Sequence, residues 1–317
     1  MHRKIVCISK IILLIYFLML FFLLISSNQV ASYAMESICQ WLTKIVPTLF
    51  PFMMLHSCMT ISRSDLLLSK LFYPLFSKVF FVSKYGCYCI IVGFLFGFPM
   101  GAKVISQFYK EGKISELEAN TLLGFCNTFS PAYYKGFVYP ALLVLQPEKA
   151  LFLFTSIYWI PLLFGCFLCR KNLFHAAGNI HPYVNDNKSI NFLTSFQWAC
   201  ESNLKAIAMI GANMLIANIL RCSLSYFPLA DCYQDIFGCL FEVTIGLPLL
   251  YQNTLLTDME KAIAMLVLLS FGGLSGIMQA FTFIVSAHLS TFNYIKNKIL
   301  ISILTMLIAY LLLKIPF

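Results

Sequence analysis

Polar and charged residues within apolar stretches are the residues of this sequence that can do chemistry. Lys103 ends the stretch Gly97-Phe-Pro-Met-Gly-Ala-Lys103, in which Gly97 and Gly101 allow unusual backbone conformations and Pro99 removes a hydrogen-bond donor. An ionisable residue in such surroundings is a candidate for contact with a charged solute. The alternative is that this lysine extends to the cytoplasmic interface, where two further lysines follow.

A second polar stretch contains Asn127, Thr128 and Ser130, directly before Pro131. The proline predicts a break in a helix, and the amide and hydroxyl groups beside it suit a polar ligand at the end of a half-helix. Ordinary hydrogen bonding between helices is an equally good interpretation of the same residues.

The later part of the sequence offers a carboxylate and another flexible stretch. Glu242 stands between apolar residues, where it can take a coupling proton, bind a cation, pair with Lys103 or lie at a helix end in contact with water. Glycines then alternate with polar residues in the segment 272–279. The predicted substrate-binding residues are Gly97, Pro99, Gly101, Lys103, Asn127, Thr128, Ser130, Gly272, Gly273, Ser275 and Gln279, with Glu242 as the coupling candidate.

The composition indicates where these residues lie. Of the 317 residues, 60% are apolar and 11% are charged, and the mean hydropathy is +0.83. Soluble domains carry about 25% charged residues, so soluble enzymes, disordered tails and nucleic-acid-binding domains are all disfavoured. The net charge of +9 is spread along the chain, as expected for cytoplasmic loops beside an anionic membrane surface. We therefore predict an all-α polytopic membrane protein.

About eight to nine hydrophobic segments are predicted, several of them broken or re-entrant. The first follows basic residues and predicts an uncleaved signal-anchor helix within residues 1–30, with a cleaved signal peptide as the alternative. Prolines or glycines interrupt others, including Pro47 and Pro51 in the second. The segments lie near residues 11–25, 41–60, 86–108, 120–145, 148–169, 196–220, 236–256, 262–288 and 299–315.

Basic residues give part of the topology. Lysines and an arginine mark the 61–85 connection as cytoplasmic, and Arg170 with Lys171 marks a second cytoplasmic boundary. An even number of crossings must separate the two boundaries, yet three apolar segments lie between them. One of the segments 86–108 and 120–145 is therefore expected to be a re-entrant hairpin, and the count does not say which.

The chain divides into two related halves in this interpretation. We expect the first membrane half at residues 36–169, a hydrophilic linker at 170–195 and the second half at 196–317. Phe96-Gly97 with Gly101 is repeated as Phe271-Gly272 with Gly276, and broken segments at matching positions are typical of repeat-built transporters. The alternative is that each G-x-x-x-G pattern lets two helices approach closely.

Motifs of known enzymes are lacking in the sequence. It contains no P-loop, no G-x-S-x-G nucleophile elbow and no H-E-x-x-H zinc motif, so we predict no enzyme activity. Cys166 and Cys169 form a C-x-x-C inside an apolar run, which favours helix packing over a metal or redox site. We therefore expect neither a metal nor a cofactor, and a coupling proton or sodium ion stays open.

These stretches together resemble the sporulation integral membrane proteins of the YlbJ type. That family belongs to the wider group with nucleoside-recognition or Gate domains, which is related to concentrative nucleoside carriers. The residues that carry the resemblance run in one order from about residue 36 to residue 294. They are Val46-Pro-Thr-Leu-Phe-Pro-Phe52, Gly97-Phe-Pro-Met-Gly-Ala-Lys103, Ser115-Glu-Leu-Glu-Ala119, Glu242-Val-Thr-Ile-Gly246 and Ser270-Phe-Gly-Gly-Leu-Ser275 with Gln279.

The resemblance implies a function in endospore-forming bacteria. The family is associated with moving dipicolinic acid from the mother cell across the outer forespore membrane. By this resemblance Lys103 is the countercharge of a small aromatic dicarboxylate, and Asn127, Thr128 and Ser130 line its site. The implied partners are the anionic solute and the lipid bilayer, without nucleic acid and with a homo-oligomer left open. A carrier of nucleoside-like solutes and a non-transporting scaffold in spore-envelope assembly are the alternatives.

Overall fold

The chain folds entirely into helices and loops in the part that the structure describes. The computed structural model describes residue 17 and residues 19–174, 192–226 and 231–315, and no strand occurs among them. Five of its helices are long and apolar enough to cross a membrane, and a sixth span results if a bent helix pair is counted as one. The chain is therefore an all-α polytopic membrane protein, which confirms the predicted fold class.

The helices are numbered here in chain order. In the first part of the chain they are α1 (Ser27–Ile61), α2 (Ser64–Phe80), α3 (Lys84–Leu95), α4 (Met100–Lys110), α5 (Glu116–Leu123), α6 (residues 131–145) and α7 (Ala150–Leu173). In the second part they are α8 (Phe192–Cys222), α9 (Asp231–Phe241), α10 (Val243–Gln252), α11 (Asp258–Phe271), α12 (Gly273–Ser286) and α13 (Thr291–Lys314).

The first long helix differs from the prediction. Residues 11–16 of the first apolar run, and most of the predicted linker, fall outside the described residues. Pro47 and Pro51 do not interrupt the second segment, because α1 continues through both of them. A π-helical turn, Trp41–Ile45, ends two residues before Pro47 and belongs to the same helix. Each proline removes only one donor, and α1 tolerates both losses without ending.

Most of the basic connection at 61–85 forms α2, and its cytoplasmic location stays a prediction. This helix meets α3 at an angle of 97°, so the chain turns sharply before it enters the next segment. Ser83 caps α3 by accepting a hydrogen bond from the Gly86 N–H at 3.0 Å.

The segment 84–110 is a helical hairpin, which we call hairpin A. Its two arms, α3 and α4, lie side by side. Tyr85 near the start of α3 contacts Phe108 near the end of α4, with ring centroids 5.2 Å apart. The tip between the arms contains Gly97 at φ +83° and a cis bond between Phe98 and Pro99. Of the two segments that the charge count left open, 84–110 is the one that folds back on itself.

The following segment, α5 and α6, passes along the neighbouring helix α7 instead of folding back. Thr121 accepts a hydrogen bond from Asn172 at 3.1 Å, and the Tyr139 ring lies 4.9 Å from that of Phe154 at the other end. We call α5–α6 broken helix A, because residues 124–130 interrupt it. Its start at Glu116 agrees with the prediction, since the Ser115 hydroxyl caps α5.

The second part of the chain repeats this order of elements. Helices α9 and α10 form hairpin B, in which Asn253 at one end donates to Asp235 at the other at 2.6 Å. Helices α11 and α12 form broken helix B, which runs along α13 and bonds to it through Ser270 and Thr305 at 3.0 Å. A single helix of 24 residues closes each series, α7 in the first and α13 in the second.

The repeated F-G-x-x-x-G pattern does not mark corresponding positions in this order. Gly97 lies at the tip of hairpin A, whereas Gly272 lies at the break of broken helix B. The proposed register between the two patterns is therefore wrong. Both glycines adopt positive φ, +83° and +95°, and any break that needs this conformation favours glycine. The shared residues thus reflect a local requirement of the backbone.

Close packing of hairpin A against broken helix A generates a prediction. A methyl group at Gly101 would overlap the Cys126 carbonyl oxygen, whereas one at Gly136 meets nothing within 4 Å. We expect Gly101→Ala to lower the free energy of unfolding by about 1–3 kcal/mol, because a backbone carbonyl cannot move aside cheaply. Thermal unfolding of the purified protein in detergent measures the effect. The matched control Gly136→Ala should leave the midpoint unchanged, and equal behaviour of the two variants would contradict this packing.

Candidate functional site

The four breaks of the hairpins and broken helices lie against one another. A Cβ atom at Gly97 would lie 2.6 Å from the Ser130 nitrogen, so the tip of hairpin A touches the break of broken helix A. A Cβ atom at Gly273 would lie 2.7 Å from the Val243 side chain, which joins broken helix B to hairpin B. The Phe98 ring of hairpin A connects the two groups, because a Cβ atom at Gly272 would lie 3.2 Å from it.

A cavity of about 60 Å³ lies where these breaks meet, and we call it the inner cavity. It is too small for an organic ring but large enough for a few water molecules or a small ion. Apolar side chains from α1 and α8 form part of its wall. Its polar lining consists of Thr48, Ser130, Glu242, Thr244, Ser275 and Gln279, together with the edge of Tyr133.

Glu242 supplies the charge of the inner cavity. It is the N-cap of α10, and its Oε1 accepts hydrogen bonds from the Thr244 N–H at 3.0 Å and from the Thr244 hydroxyl at 2.6 Å. The positive end of the α10 dipole stabilises a carboxylate in this place. The other oxygen, Oε2, is buried without a hydrogen-bond partner, and the residue is only 3% exposed. Half of this carboxylate is therefore free to bind a ligand.

Lys103 does not pair with Glu242 and does not line the inner cavity. Its Nζ donates a hydrogen bond to Asn203 Oδ1 on α8. Asn203 in turn donates to the Ser57 hydroxyl at 2.9 Å and to the Met53 carbonyl at 3.2 Å, both on α1. Lys103 is also buried, which contradicts the alternative of an interfacial lysine. In this conformation it fastens hairpin A to the two long helices.

The predicted site residues thus fall into two groups. Gly97, Ser130, Glu242, Gly272, Ser275 and Gln279 line the inner cavity. The residues that do not line it are Pro99, Gly101, Lys103, Asn127, Thr128 and Gly273, and most of them bond to or pack against neighbouring elements. Thr128, for example, donates to the Gly93 carbonyl of hairpin A at 3.4 Å.

Sequence reasoning missed a second buried lysine. Lys298 on α13 donates to the Asn127 carbonyl at 3.2 Å and lies 5.3 Å from the centre of the Phe98 ring. Tyr294, one turn earlier, accepts a hydrogen bond from Asn127 Nδ2 at 2.9 Å. The predicted apolar segment begins at residue 299, so Lys298 falls just outside it. Because α13 begins at Thr291, this lysine lies about two turns inside the helix.

A second and larger cavity adjoins the first. It has a volume of about 330 Å³, and we call it the outer cavity. Ile45, Tyr133 and Thr244 line both cavities, so these three side chains form the wall between them. Lys44 on α1 contributes the positive charge of the outer cavity. Lys44 lies near the start of the predicted apolar segment 41–60 and was not among the predicted site residues.

Comparison with known proteins adds one relative. The chain is similar to a sporulation integral membrane protein. This relative is YlbJ of Bacillus subtilis (strain 168), with 22% identity over 304 aligned residues, covering 84% of this chain and 74% of the relative. No protein-family model and no solved structure matches the chain. The similarity supports a relationship to YlbJ-like proteins, while the wider grouping with nucleoside-recognition domains stays a prediction.

The bond between Asn127 and Tyr294 generates a prediction about broken helix A. Replacing Tyr294 by Phe removes the acceptor of a buried amide, and an unsatisfied buried donor costs about 1–3 kcal/mol. We expect the unfolding midpoint to fall measurably in detergent. Tyr310→Phe on the same helix is the control, because Tyr310 is 44% exposed and surface changes stay within about 0.5 kcal/mol. A fall of equal size in both variants would argue against a specific role of this bond.

Proposed function

We propose that this chain is a secondary carrier that moves a small organic anion, dipicolinic acid, across the outer forespore membrane of a sporulating bacterium. One observation supports transport above all others, the meeting of four helix breaks at a buried polar cavity. Irregular backbone at membrane depth persists only where protein covers it or where it lines a cavity. Carriers use such breaks to hold a solute near the middle of the bilayer.

The resemblance to sporulation proteins supports the choice of membrane and solute. The similar Bacillus protein is named as a sporulation integral membrane protein, and its name says nothing about a solute. Dipicolinic acid therefore rests on the family resemblance in the sequence, and a nucleoside-like solute is the transport alternative. The outer cavity of about 330 Å³ lies at the lower end of the roughly 300–1,000 Å³ common for small-molecule sites.

The charge of Glu242 makes a coupling ion part of the proposal. An anionic solute that enters beside an unneutralised carboxylate is repelled by about 4 kcal/mol at 4 Å, for an effective dielectric constant of 20. No lysine or arginine is found among the described residues that line the inner cavity. A proton or sodium ion on Oε2 would remove this repulsion, so the ion and the anion would favour each other's binding. Glu242 is therefore our candidate for the coupling site.

Uptake into proteoliposomes tests both parts of this proposal. We expect the purified protein to accumulate labelled dipicolinate when an inward gradient of protons or sodium is imposed. Glu242→Gln keeps the size of the side chain and an acceptor for Thr244, but it removes the charge. In this variant the ion no longer favours binding of the anion, so the coupling free energy of about 4 kcal/mol is lost. Because 1.4 kcal/mol corresponds to a factor of ten, we expect gradient-driven accumulation to fall at least about tenfold.

The matched control is Glu260→Gln, because Glu260 also accepts bonds at a helix start but lies exposed to solvent. Accumulation by this variant should equal that of the parent. Unchanged gradient dependence in Glu242→Gln would remove Glu242 from the coupling step. Uptake of nucleosides with no uptake of dipicolinate would favour the other solute class. A correctly folded protein that moves neither would favour the scaffold in spore-envelope assembly.

A further inference from the structure

Two π-helical turns on different helices face the outer cavity. The first, Trp41–Ile45 on α1, contributes Lys44 and Ile45 to its wall, and the second, Tyr134–Val138 on α6, contributes Phe137. Such turns are rare, add one residue to a helical turn and are frequent at functional sites. Their presence on both sides of one cavity indicates that the side chains there are positioned for a ligand.

Lys44 lies far from both ends of its helix. Seventeen residues of α1 precede it and seventeen follow it, since the helix runs from Ser27 to Ile61. At a rise of 1.5 Å per residue, each end is about 25 Å away along the axis, which is beyond the reach of a lysine side chain. The next residue, Ile45, also lines the inner cavity, so Lys44 lies at nearly the depth of the helix breaks. An ionisable residue at this depth is a functional candidate.

The lining of the outer cavity has the chemistry of a site for an aromatic carboxylate. No aspartate or glutamate occurs among the lining residues in the part of the chain that the structure describes, so Lys44 is the charge that a ligand meets there. Its Nζ lies 5.2 Å from the centre of the Phe137 ring. Tyr133 and Tyr251 add two further rings, which offer flat apolar surfaces with polar edges.

We propose that the outer cavity binds a small ring-bearing carboxylate, with Lys44 as the countercharge of the carboxylate and the aromatic side chains around its ring. In this conformation the solute binds in the outer cavity, and the inner cavity, which is too small for an organic ring, takes only the coupling ion. This division rests on the carrier function proposed above. Tyr133 connects the two cavities because it lines both. The solute-binding lysine is thus Lys44, whereas Lys103 fastens hairpin A to α8 through Asn203.

A lipid is the competing occupant of this cavity, and the charge argues against it. Acyl chains carry no group that would pair with an ammonium ion. Phosphate headgroups lie at the membrane surface, about half of the roughly 30 Å hydrocarbon thickness away from the middle of the bilayer. Because the neighbouring Ile45 lines the inner cavity, a headgroup would have to enter to the level of the helix breaks to reach Lys44. The cavity therefore favours a ligand whose carboxylate group is attached directly to a small ring.

Direct binding of dipicolinate to the purified protein tests the assignment without any transport. We expect Lys44→Gln to weaken binding by about tenfold or more, since a bond to a charged group is lost. Lys135→Gln is the matched control, because Lys135 lies exposed on the second π-helical turn. Binding by this control should stay within about twofold of the parent. Pyridine, which has the ring without a carboxylate, should not compete.

Several results would overturn the proposal. These are unchanged affinity in a folded Lys44→Gln variant, an equal loss in Lys135→Gln, or no binding of dipicolinate by the parent. Binding in nanodiscs of neutral lipid that disappears in nanodiscs of anionic lipid would instead assign the cavity to lipid. Binding that depends on Lys44 without uptake in proteoliposomes would leave this site intact and refute the carrier function. Uptake in proteoliposomes together with normal dipicolinate affinity in Lys44→Gln would support the carrier function and refute this site.

Discussion

The structure depends on one constraint, the need to satisfy backbone polar groups where helices break inside a membrane. Water is absent from the bilayer core, so each break must find its partners within the protein. Ser130 caps α6 through the Tyr133 N–H, and Glu242 caps α10 through the Thr244 N–H. Lys298 donates to the carbonyl of Asn127. The breaks then pack on one another because glycines at the contacts leave no side chain between them.

The buried charges differ in how completely they are paired. Arg221 bonds to Glu36 at 2.6 Å, Lys298 bonds to a backbone carbonyl, and Lys103 bonds to Asn203. Each of these charges joins two helices, and losing its partner would leave a costly buried charge. Glu242 is bonded through one oxygen only. Its second oxygen is therefore available to a ligand, whereas the three paired cations hold helices together.

Sequence reasoning could predict the fold class and three of the four breaks, because composition and clusters of glycine, proline and asparagine are local properties. The fourth break was found only as an embedded carboxylate, since no glycine or proline adjoins Glu242. Lys44 and Lys298 were missed because each lies at the border of an apolar segment whose ends hydropathy places imprecisely. The sequence also could not show which of the segments 86–108 and 120–145 folds back on itself. That depends on contacts such as that between Tyr85 and Phe108, which no charge count contains.

Corresponding breaks in the two series of helices carry different chemistry. Hairpin A turns at Gly97 and Pro99, where no side chain is charged, while hairpin B turns at a carboxylate. The architecture is therefore repeated, but its electrostatics are not. An ion that binds Oε2 of Glu242 changes the charge at the N-terminus of α10 directly, whereas it reaches hairpin A only across the cavity. If the proposed coupling ion binds there, hairpin B is therefore the element whose stability would depend on it. Hairpin A has no charge at its tip and is held to α8 through Lys103 and Asn203.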